Sequence, residues 1–433
     1  MKKILEAFKN FYKSFLVDDL FTKIITLSSK MALAQVIIIA ASPILTRLYN
    51  PEDFGVLSIF VSAIGIGIVF SGLRFERVIP MLKSRRSLTV VLSISFIALI
   101  LSTIFLSISL IIFNDSIKLA LNNSELGEYL WIFPLGFFFA GFYEISTYVA
   151  TRYQEFSLLG KTKIIQAIGQ VSSQISIVSI GFLGSFGLIF GNIIGRSIGA
   201  YSLLILIKND WSYRPKSKYL VHILAHIRRF WKFPIIQTPS ALLSRLATLT
   251  PQLLFFTLYD PRIAGLIFLA QQMISAPLIF LRRSVSKVFF GHLSDIKRNK
   301  SIDVLSIIDS TVLRLFLIGL FPILILASFG PEIFSFVFGS KWLDSGIYAR
   351  YLALFLLFQF AIAPILQTLI IYEKLVTLVL IDTFRLLVTI SSISFFYINE
   401  YSVDVVIFAY SISMALVYVL SYVLIKYKIK YKI

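Results

Sequence analysis

The chain of 433 residues has no cysteine, three histidines and 22 acidic residues. Without cysteine there is no disulfide framework, no thiolate metal site and no redox thiol pair. His222 and His226 stand four residues apart, but no further ligand of suitable type lies beside them, so a metal centre is not expected. Charged residues make up 15% of the chain, against about 25% in soluble domains. A soluble particle of this size would lack the polar surface to cover itself. What fills the chain instead is apolar: 58% hydrophobic residues, 41 Phe, 20 Tyr and 4 Trp, with a mean hydropathy of +0.86. These proportions define an all-α polytopic membrane protein.

A bilayer core takes about 20 apolar residues per helix. Such runs lie at 24–46, 55–73, 88–113, 129–150, 164–183, 186–207, 234–258, 263–281, 303–328, 346–371, 375–397 and 403–425. About 12 spans place both termini on one side. On that side the loops and ends hold 31 Lys and Arg, whereas Arg47, Lys118, Arg262 and Lys341 are the four on the other. The bias of positive charge sets both termini in the cytoplasm. It also accounts for most of the net charge of +19, so a nucleic-acid partner is not needed. The first 23 residues carry many charges and no apolar core of signal-peptide type, so cleavage is not expected.

The longest far-side connection, 114–128, has no strand or helix pattern of its own, and no extramembrane domain stands on either face. A membrane polysaccharide polymerase usually needs such a domain, together with paired carboxylates or a histidine cluster. Their absence argues against an enzyme.

The turn Leu48-Tyr49-Asn50-Pro51-Glu52-Asp53-Phe54-Gly55 recurs 210 residues later as Leu258-Tyr259-Asp260-Pro261-Arg262-Ile263-Ala264-Gly265. In both copies Asn or Asp before Pro is suited to start a turn and cap the next helix, with Pro in its first turn. Six spans separate the copies, so the repeat is parallel. It divides the chain into a cytoplasmic segment 1–23, a first six-helix bundle 24–207, a basic linker 208–233, a second bundle 234–425 and a basic tail 426–433. Parallel halves around a central cavity suit a rocking transporter. The second part of the linker reads as an amphipathic helix on the cytoplasmic leaflet.

The stretch Pro43-Ile44-Leu45-Thr46-Arg47-Leu48-Tyr49-Asn50-Pro51-Glu52-Asp53-Phe54-Gly55 resembles the start of Wzx-type polysaccharide (O-antigen) flippases, in the multidrug/oligosaccharidyl-lipid/polysaccharide exporter superfamily. Arg47, Pro51 and Gly55 carry its hallmark. Arg74-Phe75-Glu76-Arg77-Val78-Ile79-Pro80 is similar to a second element of that family and departs from it at Arg77 and Val78. Gly187-Leu188-Ile189, Gly191, Gly195 and Gly199 resemble its sixth helix. The resemblance implies a flippase that carries undecaprenyl-pyrophosphate-linked oligosaccharide to the periplasmic leaflet of a bacterial inner membrane by alternating access. It also implies a proton or sodium ion as coupling ion, membrane lipids and other polysaccharide assembly proteins as partners, and no cofactor. The glycan is O-antigen of lipopolysaccharide, capsule or another surface polymer.

Leaving aside Asp303 and Asp404 at the very starts of their spans, nine charged groups fall inside the spans. Six are cations, Lys30, Arg196, Arg245, Arg314, Arg350 and Arg385, and three are acids, Glu144, Asp309 and Asp382. A charge near the bilayer centre costs about 2.5–3.5 kcal/mol on insertion scales, so it faces a cavity or a partner. The positive excess suits a diphosphate headgroup, because guanidinium groups bind phosphate bidentately. It disfavours a drug/cation antiporter of the same superfamily, whose cavity is expected to be anionic. Arg245 and then Lys30 are the foremost cavity candidates. Competing readings are local: Asp382 with Arg385 and Asp309 with Arg314 can neutralise one another, and Lys30 and Arg350 can snorkel. Glu144, Asp309 and Asp382 are the candidates for ion coupling, and Glu144 is read either as a proton carrier or as the partner of a cavity cation. Pro134, Pro277, Pro322 and Pro364 are candidate kinks.

Overall fold

The computed structural model describes residues 19–121, 127, 129–181, 184–211, 219–275, 304–372 and 374–430. Fifteen helices make up these residues, and no strand occurs among them. In the first half they are α1 (Asp19–Leu48), α2 (Pro51–Gly67), α3 (Arg85–Ile112), α4 (Asn114–Leu121), α5 (Ile132–Arg152), α6 (Phe156–Ser179) and α7 (Ser185–Trp211). The linker carries α8 (Tyr219–Arg229). Then come α9 (Thr238–Leu258), α10 (261–275), α11 (Val304–Phe338), α12 (Leu343–Ile362), α13 (Gln367–Ile371), α14 (Leu375–Ile398) and α15 (Val403–Lys430). Among the described residues nine helices are long and apolar enough to cross a membrane. The other three expected spans correspond to α2, α6 and the described part of the eighth span, α10.

Helices are the solution that satisfies every backbone group without water. Their outer faces remain apolar and open, as at Phe105, Ile111, Phe321 and Phe336, which is correct only for a surface solvated by lipid. In the first half α1 lies on α6, α6 on α7, and α7 on α5 and α2; α3 lies on α5. In the second half α9 lies on α14, α14 on α15, α15 on α12 and α12 on α11. Contacts between the two sets run mainly from α2 to α9 and from α1 to α11. Close approach of α7 to α6 needs Gly191 and Gly195, where a Cβ would press on Gln174 and Gln170.

Several boundaries differ from the hydropathy reading. The second span is shorter: α2 stops at Gly67, and the chain then passes through turns into a 3-10 segment, Phe75–Met81. The far-side connection 114–128 is not without helix, because α4 continues from α3 through the hydrogen bond Phe113 N to Ser109 O at 2.9 Å. Asp115 in its first turn and Lys118 in its last complement the helix dipole. The ninth span does not stop at 328. α11 runs to Phe338 across a kink at Phe329, just before Pro331, which cannot donate to the preceding turn. The tenth breaks at Pro364, where α12 gives way to a 3-10 segment, Ala363–Leu366.

Of the expected kinks, Pro134 sits in the first turn of α5 and Pro322 lies inside α11. Pro277 lies outside the described residues, as do residues 1–18 of the N-terminal segment and all of 282–302.

The turns 49–51 and 259–261, the 3-10 segment Ser340–Trp342 and the start of α12 gather at one end of the bundle, called here the motif end. Asn50 caps α2, with its N–H donating to Asp53 Oδ2 at 2.8 Å and Pro51 opening the first turn. In the second copy Asp260 Oδ1 accepts from Ile263 N at 2.8 Å. Both turns therefore work as the repeat implies.

Candidate functional site

The broken second span builds the most charged interior region of the first half. Leu73 and Arg74 take left-handed backbone angles, φ 48° and 63°, a strained state costing about 1–3 kcal/mol at each residue. That turn swings Phe75–Met81 back against α5 and α3. Glu76 is folded over Gly72, where any Cβ would overlap its Oε2. Arg74, one of the cations that the sequence count places in the cytoplasmic loops, is buried with Glu76 beside it. The pair is loose, Nη1 to Oε1 at 3.8 Å, and Arg74 Nε and Glu76 Oε2 are buried without a hydrogen-bond partner.

Glu144 of α5 lies within electrostatic range of Arg74, Glu76 and, on the neighbouring helix α7, Arg196. Arg196 Nε donates to Asn192 Oδ1 one turn away at 3.0 Å. Glu144 makes no ion pair among the described residues. Arg77 is exposed beside this group and senses Arg74 and Glu76. Arg74, Glu76 and Arg77 thus gather just past the end of the second span, with Glu144 within electrostatic range of Arg74 and Glu76 on one side and of Arg196 on the other.

Burial pushes the Glu76 carboxyl up to about 7, against the opposing pull of its own backbone hydrogen bond and of Arg74. The folded protein therefore holds this proton more tightly than the unfolded chain does. The resulting stability is full below the ordinary carboxylate range and is lost as pH rises through about 7. Glu76→Gln is expected to flatten the fall in thermal stability between about pH 5 and about pH 8, read by unfolding in detergent. An unchanged pH profile in the variant would contradict that assignment.

The second half holds a tighter pair. Arg385 Nη1 meets Asp382 Oδ1 at 2.9 Å, and both residues are buried. The guanidinium lies over the Tyr418 ring, 5.4 Å from its centroid, and Gln359 Nε2 donates to Tyr418 Oη at 2.9 Å.

The remaining expected cavity groups are scattered. Lys30 Nζ donates to Ser157 Oγ at 2.7 Å and Ser157 O at 3.2 Å, on the first turn of α6. Arg350 is exposed, and its Nη2 donates to Ser328 O at 3.1 Å, a carbonyl beside the α11 kink. Asp309 does not pair with Arg314. It binds Lys426 Nζ at 2.8 Å and accepts a hydrogen bond from Tyr422 Oη. Arg314 and Arg245 are both exposed and have no polar partner among the described residues. Arg47 is exposed in the last turn of α1, whereas Pro51 and Gly55 are buried. His222 contacts Arg86, and His226 Nδ1 lies 2.8 Å from the His222 carbonyl oxygen.

Sequence reasoning missed Arg77, Lys341, Trp342, Tyr422 and Lys426. Arg77 alone carried a signal, as a departure from the family element.

An all-helical bundle of long apolar helices is the frame of a multi-pass membrane protein. A family model described as polysaccharide biosynthesis protein matches residues 44–347, and the chain belongs to that family. No curated protein sequence matches the chain. Among solved structures, an inward-facing multidrug resistance MATE family transporter of the MOP superfamily is 16% identical with TM-score 0.69, covering 92% of this chain and 94% of that one. The lipid II flippase MurJ, in an inward closed conformation, is 16% identical with TM-score 0.73, covering 92% and 87%. A MOP superfamily transporter from Pyrococcus furiosus, described as having a binding pocket of reverse polarity, is 14% identical with TM-score 0.60, covering 96% and 97%. These structures are of transporters and flippases rather than enzymes, and the fold is theirs.

Proposed function

We propose that the protein is a flippase for a polyprenyl-pyrophosphate-linked oligosaccharide, undecaprenyl in a bacterial inner membrane, with both termini in the cytoplasm. The observation that carries this reading is the positive excess of charge inside an apolar bundle whose family is one of polysaccharide biosynthesis. A diphosphate needs fixed cations where lipid cannot solvate it. Two six-helix halves, 24–207 and 234–425, would present that cavity to one leaflet and then the other, with the prenyl tail left in lipid. Arg245 and Lys30 are assigned to the headgroup, with Arg196, Arg314 and Arg350 as further cations of the cavity. Arg385 is assigned to neutralising Asp382 in the second half.

A proton or sodium ion is the proposed counter-ion. Glu144 is the acid assigned to it, since Asp309 and Asp382 are engaged by Lys426 and Arg385. The orientation rests on the 31 to 4 division of Lys and Arg across the loops.

The test is extraction of lipid-linked glycans after depleting the protein, with leaflet sidedness scored by an impermeant label. Accumulation of a pyrophosphate-linked oligosaccharide in the cytoplasmic leaflet is expected, and its sugar composition would identify the cargo as O-antigen, capsule or another polymer. Normal sidedness in cells without a substitute flippase would overturn the assignment and favour the drug/cation antiporter.

A further inference from the structure

At the motif end the two copies of the repeated turn meet each other. A Cβ on Gly55 would overlap the Pro261 carbonyl oxygen, and a Cβ on Gly265 would overlap that of Pro51. The contact is reciprocal: the glycine of each copy receives the proline backbone of the other, as in a two-fold interface. No residue with a side chain fits at either place without parting the helices.

A second set of contacts fastens the same joint from one side only. Gly339, at φ +103°, ends α11 and turns the chain so that Lys341 and Trp342 face the end of α1. Lys341 Nζ donates to Tyr49 O at 2.7 Å and to Asn50 Oδ1 at 3.1 Å. Trp342 Nε1 donates to Thr46 O at 3.0 Å. Its ring is fully buried, edge-on to Phe54 with centroids 5.0 Å apart. Thr46 and Tyr49 present carbonyls at the C-terminal end of α1, which lack partners within the helix and favour a cation. The second half thus completes the end of a helix in the first.

We infer that this joint is the far-side gate of the transport cycle, with the paired glycines as its closing faces and Lys341–Trp342 as its latch. The inference rests on the alternating-access reading above and deepens it. Opening would separate Gly55 from Pro261 and Gly265 from Pro51 and give the α1 carbonyls to water, so the latch breaks without stranding a buried polar group. The same motif that marks the family in the sequence is then there for closure.

The absence of cysteine from the chain makes the test direct. Leu48 and Leu343 are partly exposed at this end. Cysteines there, spin-labelled and measured by pulsed dipolar spectroscopy in nanodiscs, report the gap between the halves. A short distance is expected to dominate in the otherwise native chain. Lys341→Met and Gly265→Val are each expected to raise the long-distance fraction at least threefold. Lys341→Met leaves helix packing alone, so it decides the matter should Gly265→Val not fold. An unchanged distance distribution in Lys341→Met overturns the latch, and an unchanged one in folded Gly265→Val overturns the glycine joint. No glycan enters this measurement. A shifted distance with normal glycan sidedness after depletion would refute the cargo and leave the gate standing; unshifted distances with demonstrated flipping would refute the gate alone.

Discussion

Arg385→Met is expected to lower the thermal unfolding midpoint by on the order of 10 °C, and the double variant Asp382→Asn with Arg385→Met to recover most of that loss. The two groups are 2.9 Å apart, with side chains 9% and 11% exposed, in the packed interior between α14, α15 and α12. Removing one partner from a buried pair leaves an uncompensated charge and costs about 3–5 kcal/mol. At about 2–4 °C per kcal/mol for sizeable domains, that is a shift easily read by a thermal stability assay in detergent. Removing both charges leaves neither to be desolvated, so the cycle isolates their coupling. Tyr418 remains anchored by Gln359 in either variant. Equal losses in the single and double variants would mean that Asp382 does not depend on Arg385. Asp382 would then have to be reassigned to the cavity, where its charge would face cargo or coupling ion.

How much of this was readable in the sequence depended on whether the deciding partner was near in the chain. The spans were legible because hydrocarbon demands long apolar runs, and the repeat was legible because Asn50-Pro51 and Asp260-Pro261 fulfil a local capping role. The pairing of Asp382 with Arg385 was likewise local, three residues apart.

The end of α2 was not legible. Residues 68–73 are as apolar as a helix interior, and the break is held by Glu76 over Gly72 and by the left-handed turn at Leu73 and Arg74. Nor was the partner of Asp309, since Lys426 stands 117 residues away and Arg314 offered a nearer candidate. The ninth apolar run was read to end at 328, yet Gly346 of α12 packs against Gly330 and Arg350 serves the Ser328 carbonyl, so the helix resumes. In the gate, proximity of Lys341 to Tyr49 spans 292 residues, and no periodicity or motif connects them.

Among the candidate cavity groups, Arg245 has the largest expected effect on transport. Its side chain is exposed and has no polar partner among the described residues. Leu249, one turn further along α9, lies against Gly65 of α2, so the face that carries Arg245 is turned to the seam between the halves. Lys30, by contrast, is already held by Ser157, and Arg350 by Ser328. A charge-assisted contact to a phosphate oxygen is worth about 1.5–3 kcal/mol, which is about a 10- to 100-fold change in rate where the contact is made during translocation. Arg245→Ala is therefore expected to slow flipping of the pyrophosphate-linked oligosaccharide in reconstituted vesicles by that factor. Arg245→Lys should fall between, because it keeps the charge and loses the bidentate fork. Inorganic pyrophosphate added to the vesicles should inhibit the native chain more strongly than Arg245→Ala. Arg245→Ala flipping at the native rate would remove this residue from the headgroup site. A rate lost equally in the Ala and Lys variants, with folding intact, would point to recognition of the guanidinium geometry rather than its charge.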